Sequence, residues 1–390
     1  MLIDRAYLDH ASTTSVLPAA VDVWREVSLT VGNPSSLHAS GRAARRVVEE
    51  ARESLADDLG VRPSEVIFTS GGTEADNLAV KGLAWAAPPA RRRILCSTVE
   101  HHAVLDPVQW LGLHGYDIDW LTVDEAGRVN PDDVRSRLGA DVALCTVMWA
   151  NNEVGTVQPL ALIAQACAEA NVPFHSDAVQ AIGRLAVDAG LPGLTSLAIS
   201  GHKLGAPVGT GALVLSRDAD VVPLMHGGGQ EREVRSGTLD AAGAASLAVA
   251  VRQSVEDQQV HAARMHQLSD RLVEGIHGVA PDAVFNGDPE HRLPGTVHVS
   301  FPGCDGDTLL MLLDAAGVEC STGSACTAGV PEPSHVLEAM GIDARIARGS
   351  LRFSLGRSSQ ASDVDRVIEV MPGALDRAFR AATPRLRPVR

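Results

Sequence analysis

Apolar residues recur along this chain in two rhythms: short β-rich runs, and longer stretches in which they return every three or four positions. Ala44, Val48, Ala51, Leu55 and Leu59 mark one face of a helix that Gly60 ends. Residues 66–68, 93–96, 142–147, 172–175 and 196–199 read as strands. Each hands over to a loop rich in Gly, Asn, Asp, His and Ser. Alternation of strands with amphipathic helices predicts an α/β fold with a largely parallel sheet. Ligands in such sheets bind beyond the carboxyl ends of the strands, so these loops are expected to converge on one site.

The pattern changes near residue 250. A long polar helical stretch over 254–278, with His261, Met265, Leu268 and Leu272 in register, reads as a bridge to a second domain. Beyond it, 295–301 alternates like a strand, 307–316 forms a short apolar helix, and 351–355 is another strand. The expected organisation is a large domain over 1–250, with an N-terminal arm of about 15 residues, and a smaller α+β domain over 251–390.

Composition narrows the partners. The 390 residues carry 33 basic and 48 acidic side chains, a formal charge of −15, which argues against direct nucleic-acid or anionic-membrane binding. No apolar run approaches the ~20 residues of a membrane span. The start, Met-Leu-Ile-Asp-Arg, has no basic segment followed by an apolar one. Six cysteines are too few for a disulfide scaffold. The expectation is a soluble cytoplasmic protein. Lysine occurs only at Lys81 and Lys203, so chemistry that needs an amine has two candidates.

Several loops carry chemistry. Thr69-Ser70-Gly71-Gly72-Thr73-Glu74 lies between a strand and a helix, where free N–H groups and the helix dipole favour an anion; an ordinary turn is the plainer reading. Lys81 lies on that helix away from its apolar stripe and reads as solvated. Lys203, in Ser200-Gly201-His202-Lys203, ends a strand and is placed to form the Schiff base of a pyridoxal phosphate enzyme; surface charge is the alternative. Asp177 could hold a pyridinium N–H or cap a following helix. His101 and His102 end another strand, where a ring can stack and move protons. Cys96, Cys145 and Cys167 read as core thiols. Cys326 sits in Cys320-Ser321-Thr322-Gly323-Ser324-Ala325-Cys326, small and polar surroundings that suit a nucleophile better than a zinc knuckle.

Together with Glu100-His101, Asp177-x-x-Gln180, Asn151-Asn152-Glu153-x-Gly155, Arg235-Ser236-Gly237-Thr238 and 351–356, these motifs occur in an order that resembles the cysteine desulfurases of the class V aminotransferase group, in the iron–sulfur assembly branch. The resemblance implies PLP fold type I and a homodimer with sites at the subunit interface. It implies pyridoxal 5'-phosphate held by Gly72, Thr73, Ser200 and His202, with Thr238 reaching the partner's site. It places Asn152 and Gln180 on the ring's phenolic side, Asp177 on its nitrogen and His101 on its face. Asn33 and Arg352 would clamp the substrate carboxylate, a group that a guanidinium fork matches.

The implied reaction takes sulfur from L-cysteine and leaves L-alanine. Lys203 removes the Cα proton, the Cys326 thiolate attacks the substrate sulfur to become a persulfide, and His101 serves as acid/base. The sulfur would pass to an acceptor protein, either an iron–sulfur scaffold or a tRNA-thiolating enzyme. Cys326 would touch iron only transiently, in a scaffold-bound cluster. The tail, Arg-Ala-Ala-Thr-Pro-Arg-Leu-Arg-Pro-Val-Arg, differs from the aromatic extension with which many scaffold-docking members end. Selenocysteine lyase or another PLP-dependent class V transferase is the nearer alternative, and a non-catalytic sulfur- or metal-binding module the more distant one.

Overall fold

The computed structural model describes residues 5–323 and 334–382. Its strands are β1 (Ala6–Tyr7), β2 (Val66–Thr69), β3 (Arg93–Ser97), β4 (Asp117–Leu121), β5 (Val142–Thr146), β6 (Phe174–Asp177), β7 (Ser196–Ser200), β8 (Gly211–Leu215), β9 (Val284–Asn286), β10 (Thr296–Ser300), β11 (Val318–Glu319) and β12 (Ser350–Ser354). Seven of them form one sheet in the order β2-β8-β7-β6-β5-β3-β4. Its pairings are parallel except those of β8 with β2 and β7.

Both faces of this sheet are buried, and the period-2 geometry of a strand shows in the packing. On β8, Ala212 and Val214 join one core while Leu213 and Leu215 join the other. On β3, Leu95 goes one way and Ile94 and Cys96 the other. The helices Ala39–Leu59, Leu160–Glu169 and Ala241–Glu256 cover the first face. Gly72–Ala86 and His102–Gly112 cover the second. The helix read from Ala44 to Leu59 ends at Gly60 in the left-handed conformation (φ 71°), which a glycine adopts without steric cost.

A three-stranded antiparallel sheet, β12-β10-β9, forms a separate apolar core with the helices Gln258–Val279, Gly306–Ala315 and Ala361–Ala382. Ala6 and Leu8 of the N-terminal arm pack into that core, and β1 pairs with β11. The helix expected over 254–278 is two helices, Ala241–Glu256 and Gln258–Val279, that meet at Asp257. Met265, Leu268 and Leu272 are buried as their spacing predicts. Strands β1, β4, β8, β9 and β11 carry no counterpart among the strands read from the sequence.

Candidate functional site

The carboxyl ends of β2, β3, β5, β6 and β7 open into one cavity of about 470 Å³. Gly72, Thr73, His101, Asn152, Asp177, Gln180, Ser200, His202, Lys203 and Arg352 all line it. Asn33 and Thr238 do not: both are exposed, and Asn33 Oδ1 accepts the Ser35 N–H at 2.9 Å. Cys326 lies outside the described residues.

One wall is the turn from β2 into the helix Gly72–Ala86. Gly71 has φ 151°, open to glycine and strained for other residues. A Cβ on Gly72 would stand 2.8 Å from Val179 Cγ2 and 3.3 Å from Ser200 Cβ. A Cβ on Gly211 would stand 2.5 Å from Gly71 Cα. Three segments of backbone therefore meet where only glycine fits, and the first N–H groups of the helix are left at the cavity wall. Glu74 fixes the turn: it accepts the Ser70 N–H at 2.8 Å and Arg235 Nε at 2.7 Å. Burial alone would raise the Glu74 carboxyl, but Arg235 and the Ser70 N–H outweigh it and hold it below its usual range.

The floor is built by β6 and β7. Asp177 Oδ1 accepts the Val179 N–H at 2.8 Å, and the chain then turns, so no helix follows for Asp177 to cap. Burial pushes the Asp177 carboxyl up, opposed by His101, the Val179 N–H and Lys203. Gln180 Nε2 donates to the Ala11 carbonyl at 2.8 Å, while its Oε1 is buried without a partner. Lys203 Nζ donates to the carbonyls of Ala11 at 2.6 Å and Ser12 at 2.7 Å. Burial, aided by Arg352 and Arg184, lowers the Lys203 amine to about 8. His202 Nδ1 meets Thr13 Oγ1 at 3.2 Å, and burial with Lys203 lowers its ring to about 4. The N-terminal arm thus covers the lysine.

The second wall carries imidazoles and the arginine. His101 Nδ1 accepts the Ala103 N–H at 3.1 Å, capping the helix His102–Gly112 and leaving its proton to Nε2. Burial first, then Lys203, His102 and His335, favour the neutral ring against the pull of Asp177. The His102 and His335 rings lie 5.4 Å apart. Arg352 Nη2 meets Asp9 Oδ1 at 2.8 Å, Nη1 donates to the Asn152 carbonyl at 2.8 Å, and Nε is buried without a partner.

A family model described as Aminotransferase class-V matches residues 6–367. The chain belongs to the class-V aminotransferase family. An "IscS-like cysteine desulfurase" of Mycobacterium tuberculosis is 57% identical over 384 residues, 97% of this chain and 98% of that one. A solved "NIFS-LIKE PROTEIN" superposes with a TM-score of 0.90 at 34% identity, covering 95% of this chain and 99% of the other. The structure titled "SspA in complex with cysteine" gives a TM-score of 0.78 at 33% identity over 90% of this chain and 98% of that one.

Several residues of the site escaped sequence reading. His335 follows no readable motif, yet it lines the cavity and its Nε2 lies 3.0 Å from the Glu100 carbonyl. Asp9 is a lone acidic residue in the sequence and the ion-pair partner of Arg352 in space. Asp76, on the inner face of the helix after the glycine turn, reaches His175 Nε2 at 3.2 Å. Its position one turn from a glycine-rich start was the available signal. Burial, with Asp177 and Glu100 nearby, pushes Asp76 well above the ordinary carboxylate range.

The remaining amine and thiols sit elsewhere. Lys81 is half-buried rather than solvated, its Nζ 4.9 Å from the centre of the Trp110 ring. Cys96, Cys145, Cys167 and Cys304 are buried, and burial pushes the half-buried Cys320 thiol up as well. Among the described residues, no group of His, Cys, Asp or Glu could hold a metal ion. No helix of the described chain is long and apolar enough to cross a membrane.

Proposed function

We propose that the chain is a pyridoxal 5'-phosphate-dependent cysteine desulfurase that works as a homodimer. The observation that carries the reading is the placement of a half-buried amine, Lys203, and a buried carboxylate, Asp177, on one cavity with the glycine turn before Thr73. The residues fit the cofactor. Gln180 Oε1 lacks a partner at the cavity, and a Cβ on Gly72 would fill the space against Val179. A buried carboxylate on a cavity also calls for a cation, which a pyridinium supplies.

Lys203 would hold the cofactor covalently, Gly72, Thr73, Ser200 and His202 its phosphate, Asn152 and Gln180 its phenolic side, and Asp177 its ring nitrogen. His101 would lie against its face. Bound there, the cofactor supplies an electron sink for charge developing at the substrate Cα. The protein's own groups do the rest. Arg352 holds the substrate carboxylate. Lys203, lowered to about 8, is neutral in roughly a tenth of molecules near pH 7 and takes the Cα proton in that form. Neutral His101 moves a proton at the substrate sulfur. The Cβ–S bond of cysteine breaks, an S–S bond forms to Cys326, and Cβ gains a proton to leave alanine. The persulfide sulfur then passes to an acceptor protein, an iron–sulfur scaffold or a tRNA-thiolating enzyme. Exposure of Thr238 outside its own cavity supports a role in the partner's phosphate site.

With two lysines the test is direct. Lys203→Ala should abolish the visible absorbance of the cofactor-loaded enzyme and the release of alanine and sulfide from cysteine. Lys81→Ala should retain both. Retained colour and turnover in Lys203→Ala would overturn the proposal.

A further inference from the structure

A second and smaller cavity lies behind Lys203. It measures about 60 Å³ and is lined by Lys203, His10, Arg184, His261 and Arg357. That volume exceeds the roughly 10–15 Å³ a single water requires and falls far below the roughly 300 Å³ at which organic ligand pockets begin. A cofactor or amino acid is excluded on size.

Its charge is one-sided. Among the described residues, no carboxylate lines it and neither Arg184 nor Arg357 makes an ion pair. Arg184 Nη2 donates to the His10 carbonyl at 3.4 Å. Arg357 Nη2 donates to the Leu204 carbonyl at 2.6 Å and lies 3.3 Å from Ser254 Oγ. The Nη1 atoms of both arginines are buried without a partner. Asp257, the one carboxylate felt by Arg357 and His261, bonds to neither side chain. His10 cannot help: its Nδ1 is 2.8 Å from Thr14 Oγ1, and burial with Arg184 and Arg357 keeps its ring neutral to about pH 4. A buried guanidinium N–H without an acceptor is costly, and a buried cation without a counter-charge more so. Two half-buried guanidinium groups, each with a buried and unpartnered Nη1 on one void beside a lysine, call for an anion from solvent.

We propose that this cavity binds a small inorganic monoanion of halide size, held between the guanidinium groups of Arg184 and Arg357 directly behind Lys203. The ion offsets the repulsion that Arg184 exerts on the Lys203 amine. The site therefore places a fixed negative charge on the far side of that lysine from the large cavity. The inference does not depend on which reaction the large cavity performs.

Bromide is the probe. Crystals of the full chain grown without chloride and soaked in sodium bromide should give an anomalous peak between Arg184 and Arg357. In solution, millimolar bromide added at constant ionic strength in sodium gluconate should raise the melting temperature by a few degrees and saturate. Arg184→Gln should lose that response, and Arg357→Gln provides the same test if Arg184→Gln fails to fold. A cavity holding only water in bromide-soaked crystals would overturn the proposal. So would equal melting temperatures with and without bromide, or a full response in the folded variants.

Discussion

Arg52→Met offers a measure of how the turn beside the glycine cradle is held. Arg52 lies on the helix Ala39–Leu59, and its guanidinium meets Glu231 twice, at 2.9 Å and 2.5 Å. It also donates to the Val66 carbonyl at 2.6 Å. Glu231 Oε2 in turn accepts the Phe68 N–H at 2.7 Å, so this ion pair ties the helix to the edge strand β2. The side chains are 10% and 1% exposed, which places the pair in the interior. Glu231, Arg232 and Glu233 adopt φ of 48°, 59° and 64°, a left-handed run without glycine that needs outside support. Removing one partner of such a buried pair leaves an uncompensated charge and costs about 3–5 kcal/mol. Arg52→Met combined with Glu231→Gln removes the charge yet keeps an acceptor for Phe68, so the double variant should lose only about 1–2 kcal/mol. Urea unfolding followed by circular dichroism, on wild type, both single variants and the double, checks the cycle. A loss below about 1 kcal/mol in Arg52→Met, or a double variant no more stable than Arg52→Met, would refute the reasoning.

Two further outcomes bear on the large cavity. In the cofactor-free protein and without halide, reductive methylation of Lys203 should reach half its limiting rate near pH 8, because burial, Arg352 and Arg184 favour the neutral amine. Peptide mapping across pH reads this, and a midpoint near 10 would contradict it. Asp177→Asn should still take up pyridoxal phosphate, since the glycine turn and Lys203 remain, while exchange of the substrate Cα proton slows by about two orders of magnitude or more. Wild-type exchange rates would remove Asp177 from the ring-nitrogen role.

What was legible in the sequence follows from how locally each feature is encoded. The loops after β2, β3, β5, β6 and β7 could be read because a strand run followed by Gly, Asp, His or Asn is a contiguous signal. Their convergence follows from parallel-sheet geometry. Strand β4 was not legible: in Asp-Ile-Asp-Trp-Leu, Asp119 looks polar and exposed, but it serves Arg93 at 2.9 Å and Arg137 at 2.8 Å at the sheet edge. The first residue of β6 was misplaced by the apolar run from Val172, because Pro173 cannot donate to a ladder and the strand begins at Phe174. The expected long helix breaks at Asp257, and the apolar spacing on both sides hides the break. Asp9, Ala11 and Ser12 could not be found at all. Two of them act through backbone carbonyls, and all three reach the site from an arm 191 or 192 residues before Lys203 and 343 before Arg352. Lys81 shows the converse: its position off the apolar stripe read correctly, but the Trp110 ring that covers it comes from the next helix.

The most direct test of the proposed function is where the sulfur first lands. Enzyme loaded with pyridoxal phosphate and given less than one equivalent of cysteine should be alkylated at once, digested and mapped by mass spectrometry. The account predicts the extra sulfur on Cys326, with one alanine released per persulfide, and neither product in Lys203→Ala. Extra sulfur on Cys320, Cys304 or Cys96 with Cys326 unmodified would contradict it.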